Sequence, residues 1–188
     1  MQMMKIAVLT ACAVCLAGCW TLSVYPLYTE NDIVFDQRLI GAWGDTTGSR
    51  DGTWIFQQGE NNAYCLVTRE KDKPEGIFKA HLVHLGDNLF LDIYPDNPKK
   101  ENEFYQSHLI PGHTFWKIAF EKKSMILAPL DQEWLEERYR NKTLEIACFS
   151  DDNVIIFTAP TAELQKFITT YAAEAFEDDP FVLNHINW

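Results

Sequence analysis

The sequence predicts a mainly β chain, an antiparallel sandwich or barrel with two helices. Three observations carry that expectation. From Leu39 to Thr158 the apolar residues recur mostly with period two. Turn residues separate these short runs at regular spacing. Near the end the period changes: Leu164, Phe167, Ile168, Tyr171, Ala172 and Ala175 form the stripe of an amphipathic helix.

Residues from Cys19 to about Thr29 read as a short tether, which Pro26 and the Tyr25/Tyr28 pair lay against the domain. The first strand opens at Leu39-Ile40-Gly41-Ala42-Trp43. In the next, Trp54 and Phe56 share a face opposite Thr53, Ile55 and Gln57. Tyr64 and Leu66 oppose Ala63, Cys65 and Val67; Phe78, Ala80 and Leu82 oppose Ile77, Lys79, His81 and Val83. Phe90, Asp92 and Tyr94 oppose Leu89, Leu91 and Ile93. Further strands are expected at Tyr105–Leu109, Thr114–Phe120, Met125–Ala128, Leu144–Phe149 and Val154–Thr158. Turns are placed by Asp51-Gly52, Gly59 with Asn61-Asn62, Gly86-Asp87, Pro95 to Pro98, Pro111-Gly112 and Asp151-Asp152-Asn153. Several strands are apolar on both faces, so one face meets the core and the other a helix, the tether or a lined cavity.

Asp131 caps the first helix, with Glu133 in its first turn and Arg138, Arg140 and Lys142 near its end, matching the helix dipole. Leu130 and Leu135 occupy hydrophobic-staple positions. Thr161, after Pro160, is the expected cap of the second. That helix lacks a basic polar face, so its stripe reads as packing onto the outside of the sheet rather than as a membrane surface.

The N-terminus has the layout of a secretory signal: Lys5, an apolar run from Ile6 to Leu16, then small residues. The run is well short of the roughly 20 apolar residues that span a bilayer. Leu16-Ala17-Gly18-Cys19 resembles the lipobox of bacterial lipoproteins. The resemblance implies cleavage before Cys19 and lipid on that cysteine, with the membrane as a partner through the anchor. Trp20 stands where an aspartate is linked with inner-membrane retention, so it also implies the outer membrane before the inner. The expected divisions are a signal peptide at 1–18, a lipidated N-terminus and tether at 19–38, and the β domain at 39–188.

Processing would leave 170 of the 188 residues, enough for one domain with its own core. Only Lys5 among the charged residues departs, so 15 basic residues face 27 acidic ones, a net −12. That field repels phosphate backbones, which excludes nucleic acid and anionic lipid as natural partners. Aromatic residues make up 13% of the chain and are spread along it, which fits a packed domain and not disorder. Cys12 and Cys15 leave with the signal. Cys65 and Cys148 remain, either as a disulfide suited to an oxidising compartment or as two separate buried thiols.

Gly41 and Trp43 form a Gly-x-Trp that resembles the first-strand motif of lipocalins. The resemblance implies an eight-stranded antiparallel barrel followed by a C-terminal helix. The helix after Leu130 is an insertion relative to that plan. The expected fold is a lipocalin-like barrel of about eight to ten strands with a C-terminal amphipathic helix and one short inserted helix. In lipocalins this tryptophan packs on an arginine of the last strand, and Val154–Thr158 carries none. Leu91-Asp92-Ile93-Tyr94 is a distant echo of their Thr-Asp-Tyr. The chain also resembles uncharacterised bacterial lipoproteins with a Pro-Leu-Tyr after the tether, here Pro26-Leu27-Tyr28. They share Phe-Leu-Asp-x-x-Pro (Phe90 to Pro95), His-x-x-Pro-x-His (His108 to His113) and a segment matching Thr158 to Phe167. That resemblance implies a fold and an address, without an activity.

His108 and His113, flanking a tight turn, are the best chemical candidates. A metal would need further ligands from His81, His84 or Asp92, and His81 and His84 point to opposite faces of a strand. No metal or other cofactor is expected, and no catalytic residue is assigned. Ser107, Ser124 and Ser150 lack a nucleophile-elbow setting. Trp54, Phe56, Tyr64, Phe90, Asp92, Tyr94 and Trp116 are the candidates to line a cavity, with Asp92 as a polar anchor. The expected function is a lipid-anchored envelope domain binding a small apolar or amphipathic ligand. A non-catalytic scaffold that docks an envelope protein is the alternative, and a hydrolase using the His108/His113 turn a third.

Overall fold

The computed structural model describes residues 21–44, 52–96, 109–151 and 154–186. The signal segment, Cys19 and His108 lie outside the described residues, as does the strand expected at Tyr105–Leu109 except for its last residue. The described strands are β1 (Leu22–Ser23), β2 (Ile33–Val34), β3 (Gly41–Gly44), β4 (Thr53–Gln58), β5 (Tyr64–Arg69) and β6 (Gly76–Leu85). After them come β7 (Asn88–Pro95), β8 (Thr114–Phe120), β9 (Ser124–Pro129), β10 (Cys148–Asp151), β11 (Val154–Phe157) and β12 (Phe181–Ile186). The helices are α1 (Gln132–Arg140) and α2 (Thr161–Thr170).

Strands β3 to β9 form an antiparallel meander. β12 then returns between β9 and β3, pairing Phe181 with Leu127 and His185 with Trp43, and closes an eight-stranded barrel. The closed antiparallel ring is consistent with a lipocalin-like plan. β2 is an extra strand on the part of β6 that β5 does not reach. The meander fixes two ends. The β4–β5, β6–β7 and β8–β9 hairpins lie at one, here the closed end. The β3–β4, β5–β6 and β7–β8 connections leave from the other, the mouth end.

Alternation then sorts the core into two bodies. Trp43, Phe56, Tyr64, Leu66, Leu82, Leu91, Trp116 and Leu127 fill the lumen. Val83, Phe90 and Phe115 point outward, where Leu164, Phe167 and Ile168 of α2 cover them together with Ile155 and Phe157 of β11. Both faces of β6, β7 and β8 are therefore buried, which explains their apolar runs.

Three local expectations change. Val154–Phe157 is not a barrel strand: it pairs with β10 and, in parallel, with β1 in a small separate sheet. Its short apolar run packs on the outer core, a placement that alternation cannot distinguish from the lumen. The strand expected at Leu144–Phe149 begins only at Cys148. The last barrel strand is β12, hidden in the sequence behind Pro180 and an acidic run.

The helices form where expected. Asp131 accepts a hydrogen bond from the Trp134 amide at 2.9 Å, and Leu130 and Leu135 are buried in the outer core. In α2 the cap position is Pro160, and Thr161 does not cap. The Thr161 hydroxyl instead donates to the Pro26 carbonyl at 2.8 Å and holds the tether. The regular helix ends at Thr170, while Ala172, Ala175 and Phe176 continue its buried stripe in turns.

Candidate functional site

A cluster of titratable residues lies on the outer wall of the barrel, under the tether. Phe90, Asp92 and Tyr94 alternate outward on β7 because Leu89, Leu91 and Ile93 take the lumen. His81 is opposite Asp92 on β6. His113 stands directly before β8, bridged to Ser23 by a reciprocal backbone pair of 2.9 and 2.8 Å. Asp92 is fully buried at 0% exposure, and a buried carboxylate must find donors. One oxygen lies 2.6 Å from His113 Nδ1. The other accepts the Leu27 amide hydrogen at 2.7 Å. A carboxylate only accepts, so Nδ1 of His113 carries the proton.

The neighbours complete the enclosure. The Tyr28 ring packs on His81 at 4.2 Å, and Tyr94 on His113 at 4.5 Å. Burial, helped by the Asp92 charge, raises the Tyr28 hydroxyl above its usual pKa. Burial lowers His81 below the usual imidazole value; the positive charge of Lys79 acts with it, and the Asp92 charge opposes it. Gln165 of α2 donates to the Leu27 carbonyl at 2.9 Å and to Asp32 at 2.8 Å.

An aspartate that orients an imidazole is half of a general-base arrangement. Here the pair is turned to holding the chain. Ser23, opposite His113 across the bridge, donates its hydroxyl hydrogen to the Tyr25 carbonyl at 2.7 Å. Asp92, His113, Thr161 and Gln165 together fasten residues 23–28 to the barrel. Among the described residues, no three His, Cys, Asp or Glu side chains are placed to hold a metal.

The seven cavity candidates divide. Phe56, Tyr64 and Trp116 belong to the lumen core and Trp54 packs against it. Phe90, Asp92 and Tyr94 lie on the opposite face, Phe90 against Phe176 at 5.5 Å and Asp92 and Tyr94 in the clasp. The sequence grouped them correctly along β7, but both faces of that strand are apolar, so it did not show which one turned inward. Trp54 meets Trp116 edge to face at 5.3 Å, and Trp116 in turn meets Phe181 at 5.9 Å. Tyr64 stacks on Phe35 at 5.2 Å and bonds both backbone groups of Asp36, and burial raises its hydroxyl pKa.

The closed end explains the Gly-x-Trp motif. The Trp43 indole N–H donates to the Leu39 carbonyl at 2.9 Å. Its ring is met edge-on at 5.2 Å by His185 of β12, the true last strand. Arg38 lies over the Phe120 ring at 4.7 Å and pairs with Asp36, whose carboxyl it holds below the usual range. Sequence reasoning missed His185 because it missed β12; the alternation of Phe181, Leu183 and His185 was the available signal.

Outside the barrel, a groove of about 510 Å³ runs past Ala119, Ile126, Ala128 and Phe176. On its wall the Lys117 ammonium donates to the Ala172 carbonyl at 2.8 Å. Cys65 on β5 and Cys148 on β10 are separate half-buried thiols, and burial raises the pKa of Cys148. No family model, curated protein or solved structure matches the chain.

Proposed function

We propose that this chain is a non-catalytic docking domain of the bacterial envelope, lipidated on Cys19 after removal of residues 1–18, with the outer membrane as its address. The packed lumen carries this reading. Side chains from opposite walls of the barrel touch between Trp54 and Trp116, so binding is assigned to the outer surface. The clasp supports it: both Asp92 oxygens are engaged in holding the tether close, which keeps the domain near its anchor. Crosslinking in the native host followed by affinity purification tests it. A specific envelope protein recovered in stoichiometric amount supports the proposal, and a chain that crosslinks to nothing defeats it. Intact mass of the purified chain tests the anchor separately.

A second reading has its own observation. The groove beside Lys117 pairs an apolar floor with cationic side chains, Arg38 and Lys117, which suits a small amphipathic ligand. Native mass spectrometry of protein from its own host would reveal a co-purifying species, and loss of that species in Ala119→Asp, an exposed position on the groove wall, would assign it to the groove.

A further inference from the structure

We infer that the mouth end of the barrel is a bilayer-contacting face, so that the domain stands mouth-down beside its anchor. The inference rests on the proposed lipidation of Cys19 and adds the orientation of the domain and the surface that touches lipid. It starts from where the chain enters the fold. Thr21 donates to Gln132 at the head of α1, directly after β9 leaves the mouth. Leu22 lies against Gly112, where a Cβ would stand 3.1 Å from the leucine Cβ. Cys19 is two residues before Thr21 in the sequence, a reach of at most about 7 Å of chain.

Exposed apolar side chains gather at that same end. Ile110, two residues from Gly112, is 82% exposed, and Leu109 beside it 48%. Phe181 and Val182 open β12 at the mouth, both exposed. Phe149 is 57% exposed on β10, and its partner Ile156 pairs with Leu22. The closed end is the opposite in character. Its hairpins present Glu60-Asn61-Asn62, Gly86-Asp87 and Glu121-Lys122-Lys123 to water. Val24 and Tyr25 on the tether, Ile77 on β6 and Tyr139 on α1 are exposed as well. The group formed by Leu109, Ile110, Phe181 and Val182, however, stands at the end where the chain enters the fold, and a cluster of exposed apolar groups has a preferred partner.

The chemistry selects a lipid surface. The mature chain is strongly acidic, so contact must come from apolar insertion into the headgroup boundary and not from basic attraction. The charged β5–β6 hairpin, Glu70 to Glu75, is also at the mouth, but across the ring from β9 and β12. The domain therefore leans on its β8–β9–β12 side, the side from which the anchor emerges.

The test uses the full chain, purified with its lipid and reconstituted in phosphatidylcholine–phosphatidylethanolamine vesicles. In a Cys65→Ser, Cys148→Ser background, an environment-sensitive dye is placed at Ile110→Cys or, for comparison, at Glu60→Cys. Supporting the inference, the Ile110 dye shifts to the blue and loses most of its emission to brominated lipid, while the Glu60 dye does neither. Water-like emission from both dyes, on a chain whose mass shows acylated Cys19, overturns the orientation and leaves the anchor standing. A blue-shifted Ile110 dye blind to brominated lipid marks a protein or a second copy on this face and also overturns it. A mass without acyl chains defeats the anchor reading and this inference together.

Discussion

Trp54 and Trp116 touch across the full width of the barrel. Three strands stand between β4 and β8 in either direction around the ring, yet their indole centroids are 5.3 Å apart. Such a contact needs a narrow, filled lumen, and small barrels of eight strands are filled by side chains of this size.

Replacing Trp116 by alanine removes that contact and the one to Phe181. A loss of about 3–5 kcal/mol is expected for an aromatic residue removed from a packed core. Urea denaturation measures it. The same variant should gain binding of a small apolar dye such as N-phenylnaphthylamine, which the parent barrel does not bind at this level. Equal dye binding by both would place a cavity in the parent lumen.

Asp92 is the largest polar risk in the fold, because it is a fully buried carboxylate. Asp92→Ala leaves the Leu27 amide and His113 Nδ1 without their acceptor. Hydrogen bonds to charged groups contribute about 1.5–3 kcal/mol each, so a loss of about 3–6 kcal/mol is expected for the two. Asp92→Asn keeps an acceptor oxygen for one of the two donors and should lie between the parent and the alanine variant. Limited proteolysis reads the specific consequence: cleavage between Leu22 and Tyr28 should accelerate in Asp92→Ala more than the change in global stability accounts for.

Much of this architecture was legible in the sequence. Period two marked β4 to β9, and the Asp131 cap and the Leu164–Ala175 stripe marked the helices, because each is a local pattern. What stayed hidden was which face of β7 is inside, and which strand closes the ring. Phe90 and Leu91 are equally apolar, and both are fully buried, one beneath α2 and one in the lumen. Only long-range packing decides between them. The clasp was half legible: Asp92 stood out as a charge in an apolar strand, and His113 as half of a motif. Their meeting depends on the β7–β8 register, which pairs Asp92 with Phe115, two residues after His113.

The clasp should also make the fold sensitive to mild acid. Burial lowers the pKa of His81, so the unfolded chain takes up its proton first, near the ordinary imidazole value of 6.5. Where the unfolded state binds more protons, stability rises with pH. The His81 contribution is therefore complete above about pH 6.5 and is lost as pH falls from there toward its folded value. Tyr28 acts at the alkaline side: its raised pKa gives stability that is present below pH 10 and lost above it. Urea midpoints of the parent and of His81→Phe, which keeps a ring against Tyr28, compare the acid limb directly. The parent should lose more stability between pH 7 and pH 5 than the variant; parallel curves would remove His81 from this role.

Gly41 and His185 give the sharpest test of barrel closure. Gly41 has φ +133°, a conformation that side chains rarely adopt, and a Cβ there would stand 2.4 Å from His185 Nε2. Two effects oppose Gly41→Ala: the backbone strain, of about 1–3 kcal/mol, and the displacement of an imidazole that packs on Trp43. His185→Ala alone loses only the edge contact to Trp43, about 0.5–1.5 kcal/mol. In the double variant the clash is gone and the strain remains. Its destabilisation should therefore fall below the sum of the two single changes. A double-mutant cycle by urea denaturation measures that difference. A strictly additive cycle would mean that β12 does not lay His185 over Gly41, and that the ring is not closed by this pairing.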